Sequence, residues 1–445
     1  MTSPISRRTL FTAALAAPLL ASCSFGTGGN TGGASRLTFM NRWSDPTSQK
    51  AAEAMFAAFT KESGVAVTNQ VQPSSGSTYQ PAVRTAFSSN SPPSLATDIS
   101  GPEVFALAKA GVLMDLTAIY DRTVKARAKG GGATLGSTLD GKVWGISAGA
   151  NVGNCVFYNA DYLARYRVDP ATIRTTTDWL AAMAQIKQAG GIPILIGAKD
   201  QWPGGHYLND LVQRRLGSAN AMALYNRTVL PGQGSSVKWT DAAVIAAFSD
   251  YLAFKPLFQD GFLGEASATT DSQFLAGNAG FYEMGSWLLS TIRQTPPPFT
   301  PGVMLFPAVE GGAGTGTEVT LGNDTIIVSA KADPAAVEKF LDFFTRPENA
   351  ASWSGSMFTS PPYAFDTATV RVENPTLSNL FGAINGFSAA AGDGVALFND
   401  QAIDVNIYSR YIWQGSVGLM TGDLSPEQLA TQLEDATVEA QRRLG

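Results

Sequence analysis

One histidine, His206, limits the chemistry this chain can carry. Zinc sites built on two or three His are excluded, and no CxxC pair stands in for them. A serine or cysteine triad would have to use His206 itself. Gly145-Ile-Ser147-Ala-Gly149 fits the GxSxG pattern of a nucleophile elbow. That elbow needs a strand, a sharp turn and a helix starting at the serine. Ser147 follows a predicted strand, but residues 150–158 read as another extended segment, which argues against an elbow. Gly136 to Lys142 fits GxxxxGK, yet Val143 stands where a phosphate loop needs Ser or Thr for Mg²⁺. The simpler reading is an Asp140-Gly141 turn between two strands. More informative are aromatic and polar residues mixed at predicted strand ends: Trp43-Ser44-Asp45, Gln201-Trp202-Pro203, and Tyr282-Glu283 through Ser286-Trp287. An indole face is a flat apolar platform with a negative quadrupole. The C–H face of a sugar ring fits it, while Asp, Asn and backbone groups bond the hydroxyls.

The elements that must position these residues read as an α/β chain. Leu37–Met40 is a predicted strand, residues 50–62 a helix stopped at Gly64, and Val65–Val67 the start of a second strand. Strand, helix and strand with short links make a βαβ unit and imply a parallel sheet. Further predicted elements are helices at 79–88 and 103–110, the second stopped by Gly111, and strands at 95–99, 143–146 and 155–158. Residues 178–187 read as a helix with Thr177 as N-cap, 192–196 as a strand, 241–254 as a helix and 325–328 as a strand. Asp333-Pro334 opens a helix with Val337, Phe340, Leu341 and Phe344 on one face. Ser425-Pro-Glu-Gln428 is a capping box opening the last helix.

The N-terminus reads as an export signal. Arg7 and Arg8 precede an apolar run from Leu10 to Leu20, too short for the roughly 20 residues that span a bilayer. The order Ser-Arg-Arg-x-Leu-Phe resembles a twin-arginine signal, and Leu20-Ala-Ser-Cys23 a lipobox in which Cys23 takes the lipid. Residues 24–35 then form a flexible Gly/Ser/Thr tether. The whole chain carries a net charge of −5; loss of Arg7 and Arg8 leaves 29 basic against 36 acidic residues. An acidic body argues against nucleic acid as partner. Cys155, in an apolar run, is expected as a buried small hydrophobe.

Several stretches in order resemble the extracellular solute-binding proteins of ABC importers, specifically the maltose-binding-protein-like sugar binders. They are the lipobox, LTFMNRWSD, PSLATDISGPEVFALAKAGVLMDLT, DGKVWGISAGANVGNCVFYNADYL, TTTDWLAAMAQIK, FLAGNAGFYEMGSWLL, VMLFP, DTIIVSAKADPAAVEKFLDFFTRPENAASW and the final SPEQ helix. The resemblance implies a two-lobed α/β periplasmic-binding-protein fold with a ligand cleft at a hinge crossed three times, near 149–153, 306–321 and 354–358. It implies lobes of 36–149 with 319–354, and of 150–318 with 355–445. Trp287 matches the family's sugar-stacking Trp and Trp202 a second aromatic wall. Trp43, Asp45, Tyr79, Asp98, Asn151, Glu283, Ser286, Gly322, Asn323 and Tyr363 fall at contact positions, with Arg410 as a polar group from the C-terminal lobe. The His206-Tyr207 pair has no counterpart in the pattern. The expectation is a lipid-anchored, monomeric binding protein without cofactor or catalysis, on the outer face of the cell membrane. It would capture a sugar, amino sugar or short oligosaccharide and deliver it to a permease. A glycerophosphodiester is the alternative ligand. A secreted hydrolase using Ser147 with His206, or a glycosidase, is the alternative of another class.

Overall fold

The computed structural model describes residues 36–72, 78–129, 131–229, 236–372 and 374–444. The predicted signal, the Cys23 lipidation position and the 24–35 tether lie outside the described residues. Two sheets organise the rest, each with its own apolar cores. The first has six strands: Arg36–Asn41, Ala66–Val71, Leu95–Ile99, Gly145–Val152, Val319–Val328 and Val395–Leu397. Arg36–Asn41 runs parallel to both Ala66–Val71 and Leu95–Ile99, as the βαβ reading expects. The connecting helix Pro46–Ser63 is capped by the Asp45 side chain and ends at Gly64, whose φ of 72° no Cβ-bearing residue adopts readily. It buries Phe56 and Phe59 against Phe340 of helix Pro334–Phe344. Val319–Val328 is antiparallel to both Leu95–Ile99 and Gly145–Val152, with a bulge between Asp324 and Thr325.

The second sheet holds Cys155–Asn159, Ile194–Leu195, Phe281–Met284 and Pro301–Leu305. Trp179, Tyr207, Phe254 and Phe306 pack edge to face behind it. Cys155 is fully buried there, as expected. Two local expectations need correction. Helix Thr176–Gln188 is capped by Thr175 and not by Thr177, because the Asp178 carboxylate reaches back to the Thr175 N–H and completes a capping box. The strand expected over 192–196 pairs only at Ile194–Leu195, since the Gln259 side-chain amide takes both the N–H and C=O of Ile196. Asp140-Gly141 forms the two-residue turn of a hairpin between Thr138–Leu139 and Lys142–Val143, with φ of 53° and 72°.

Where the bodies join, extended segments lie side by side. Ala150 exchanges both backbone hydrogen bonds with Ser360, and Gly153 donates to Thr320. Gly149, at φ 141°, lets the Thr359 side chain approach to 2.3 Å of where a Cβ would stand. Beyond Val395–Leu397 the chain enters the core of the second body, which it completes with helix Pro426–Leu444. That helix opens on the predicted capping box: Gln428 N–H donates to Ser425 Oγ, and Ser425 N–H to Gln428 Oε1.

Candidate ligand-binding site

Four rings form a continuous aromatic wall beside these joining segments. Trp202 opens helix Trp202–Leu216 and His206 follows one turn later on the same face. Trp287 follows strand Phe281–Met284, its indole N–H aimed at Met284 Sδ at 3.0 Å. Phe398 follows Val395–Leu397. Ring centroids lie 4.8 Å apart for Trp202–His206, 6.2 Å for Trp202–Trp287, 4.0 Å for the stacked His206–Phe398 pair and 6.1 Å for Trp287–Phe398. Phe398 lies so close to Gly153 that a Cβ there would meet its ring at 1.8 Å. His206 is 5 % exposed. Burial alone lowers its pKa to about 3, so the imidazole is neutral near pH 7, and its Nδ1 has no protein partner.

A polar group gathers on the first body where its strands end. Arg42 follows Arg36–Asn41, pairs with Asp324 and lies 6.0 Å from the Tyr79 ring centre. Asp98, 1 % exposed, accepts the Ile99 N–H through Oδ1, while Oδ2 has no protein partner. Burial, then the nearby Glu103, pushes its carboxyl well above the ordinary range, against the pull of Arg42. Glu103 pairs with Arg84 and accepts the Tyr408 hydroxyl at 3.3 Å. Segment Asn399–Ala402 presses onto this group from the C-terminal part of the chain. Gln401 Oε1 accepts from Ser100 Oγ at 3.1 Å and from Asn323 N–H at 2.8 Å. The Gln401 carbonyl stands 1.9 Å from where a Gly101 Cβ would be. Asp400 is pushed up to about 7 by burial, with Arg42 pulling it back, and its Oδ1 has no protein partner.

Of the residues singled out in the sequence, the structure brings Trp202 and Trp287 together in the aromatic wall. Ser286 donates to Asn151 on the joining strand at 3.2 Å. Gly322 passes under Phe398, and Asn323 accepts from Ser147 Oγ and donates to the Leu135 carbonyl. Tyr79 and Asp98 belong to the polar group; the Tyr79 hydroxyl is directed at the Met40 and Thr97 carbonyls, and burial raises its pKa. Others lie elsewhere. Trp43 packs edge-on against Trp353 in the first core. Asp45 caps its helix and meets Arg293 at 3.4 Å. Tyr363 is buried in the first core and donates to the Ser147 carbonyl. Glu283 is buried beside Asp210; burial and that neighbour raise its pKa. Arg410 is exposed over the Tyr411 ring. Arg42, His206, Phe398, Asp400 and Gln401 were missed. Only His206 carried a usable signal, four residues after Trp202 on a helix. Ser147 sits inside an uninterrupted strand, so the GxSxG segment makes no elbow.

Among the described residues no set of three His, Cys, Asp or Glu is placed to hold a metal ion, and no helix is long and apolar enough to cross a membrane. Two surface cavities, of about 440 and 680 Å³, lie away from the aromatic wall, beside Arg371 and beside Gln70.

Solved structures share this architecture at low identity. A protein from a study of xylan utilization by the thermophilic bacterium Caldanaerobius polysaccharolyticus superposes with a TM-score of 0.77 at 20 % identity, covering 90 % of this chain and 99 % of its own. A chitin oligosaccharide binding protein gives 0.77 at 20 % identity, covering 92 % and 99 %. The bacterial solute receptor AcbH, described as having an exclusive preference for β-D-galactopyranose, gives 0.76 at 19 % identity, covering 93 % and 100 %. These likenesses establish the two-lobed periplasmic-binding-protein fold. No curated protein matches in sequence. Residues 43–351 match the bacterial extracellular solute-binding protein family, and the chain belongs to that family.

Proposed function

We propose that the protein is the substrate-binding component of an ABC importer and captures a carbohydrate between its lobes. The lobes are taken as 36–149 with 319–354 and 150–318 with 355–445, and the hinge as the crossings near 149–153, 306–321 and 354–358. One observation carries the reading: a wall of Trp202, Trp287, His206 and Phe398 that runs on through Asn399–Ala402 to the polar group, where Asp98 and Asp400 each hold an oxygen without a protein partner. Rings supply the platform for a sugar face, and the carboxyl groups exchange hydrogen bonds with its hydroxyls. The ligands of the structural neighbours, chitin oligosaccharide and β-D-galactopyranose, agree with that class. Cys23 would hold the monomer to the membrane, and the closed, loaded form would deliver its cargo to a permease. The protein performs no chemistry on its ligand in this reading.

A phosphodiester fits poorly. Arg42 is engaged by Asp324 and Arg84 by Glu103, so neither guanidinium is free for a phosphate. The helix after Ser286 spans only Leu288–Gln294, and the Ser286 hydroxyl is already turned to Asn151. The test is a thermal-shift and calorimetric screen against mono- and oligosaccharides and glycerophosphodiesters. A saccharide at one hundred times its Kd adds about 2.7 kcal/mol and raises the melting point. Binding of the phosphodiester alone, or turnover of any saccharide, refutes the proposal.

A further inference from the structure

A single guanidinium touches three parts of the molecule. Arg293 lies on helix Leu288–Gln294, which starts directly behind Trp287. Its Nη1 donates to the Ser356 carbonyl at 2.6 Å, in the last turn of helix Pro347–Met357, where carbonyls lack a partner within the helix. Its Cζ stands 4.8 Å from the centre of the Phe358 ring. Phe358 ends that helix at φ 52°, a left-handed conformation that a bulky residue keeps only where its surroundings hold it. The third contact reaches the first body. Nη2 meets Asp45 Oδ1 at 3.4 Å and Ser48 Oγ at 3.3 Å, at the start of helix Pro46–Ser63. The grip is therefore unequal, short on the 354–358 segment and at the long end of the hydrogen-bond range on the first body. The Arg293 and Asp45 side chains are 17 % and 18 % exposed, so water and salt screen the pair less than an open surface pair. Asp45 already caps its helix through the Ser48 N–H at 2.9 Å and needs no Arg293 for that. The Asp45–Arg293 contact serves neither helix; it ties one body to the other.

We propose that Arg293 is a closure latch, seated on the third crossing and engaging Asp45 and Ser48 as the lobes come together, so that it sets saccharide affinity without touching the ligand. This rests on the carbohydrate reading and its hinge. A contact made only between closed lobes adds to the closed arrangement alone. Its loss weakens every ligand by one common factor if the free protein is mostly open, and opens the free protein if it is mostly closed. The test is Asp45→Asn, which removes the charge and keeps a capping side chain. Calorimetry with at least two saccharides should show the same loss for each, about threefold or more, or X-ray scattering should show a larger radius of gyration for the free variant. The melting point should hold, and added salt should shrink the effect. In an Arg293→Gln background, Asp45→Asn should cost nothing further. Unchanged affinity and radius overturn the latch and leave the carbohydrate reading intact. So does a loss confined to one saccharide, which marks Asp45 as a ligand contact. If no saccharide binds the parent, the carbohydrate reading falls and the radius of the free variant alone decides the latch.

Discussion

Replacing His206 with Phe is expected to change how the protein responds to acid. The imidazole is the only one in the chain, is stacked 4.0 Å from Phe398, and has its pKa lowered by burial from 6.5 to about 3. The folded state therefore binds fewer protons at this site than the unfolded chain. The stability it contributes is full above pH 6.5 and is lost as pH falls towards 3. At about 1.36 kcal/mol per pKa unit, the loss is about 2 kcal/mol at pH 5 and about 3 kcal/mol at pH 4, relative to pH 8. Other groups act in the opposite sense. Asp98, Asp400, Asp210 and Glu283 have raised folded pKa values, so their penalties ease as the solution is acidified. The raw stability curve mixes the two; the difference between parent and His206→Phe isolates the imidazole. A ring is retained against Phe398, and no protein hydrogen bond to Nδ1 is lost. Urea unfolding of both proteins at pH 8 and pH 5 measures the difference, and the imidazole proton resonance follows the charge directly. An equal stability gap at the two pH values, or a resonance titrating near 6.5, refutes the burial argument.

Other substitutions probe other links. Trp287→Ala and Trp202→Ala should each weaken saccharide binding about tenfold or more by calorimetry, with melting little changed because both rings are only half-buried. Gly101→Ala places a Cβ 1.9 Å from the Gln401 carbonyl at a φ of 89°, and should cost about 1–3 kcal/mol while enlarging the radius of gyration in X-ray scattering. Asp400→Asn should stabilise the protein at pH 8 more than at pH 4. The raised carboxyl, up to about 7, is charged at a cost at the higher pH and protonated in both states near or below 3.8. Arg214→Met removes a buried guanidinium that donates to the Phe306, Pro307 and Glu318 carbonyls and pairs with the Glu318 carboxylate. It should cost about 3–5 kcal/mol, read from the denaturation midpoint.

The legible parts of the fold were those decided within a few residues of chain. Gly64 and the Ser425 capping box act through their own neighbours, and the helical face of Val337, Phe340, Leu341 and Phe344 shows in its spacing. Thr175 and Thr177 differ only in which one Asp178 can reach back to, a detail that two adjacent threonines obscure. The site was half legible. Trp202 and Trp287 stand at chain ends of elements, where a ring can face outward. Trp43 stands at a similar end, but it meets Trp353, which arrives from three hundred residues away. Arg42, Phe398, Asp400 and Gln401 become site residues only because remote segments meet there. Phe398 lies over Gly153 and Gly322, and Gln401 reaches Ser100 and Asn323. No local pattern encodes those meetings.

The placement of Val319–Val328 bears on how the polypeptide reaches its native state. It is an interior strand, wedged between Leu95–Ile99 and Gly145–Val152, which are synthesised much earlier. Until it emerges from the ribosome, both early strands keep open edges that invite mispairing. Closing such distant pairs is slow, which lengthens the time those edges stay open during folding.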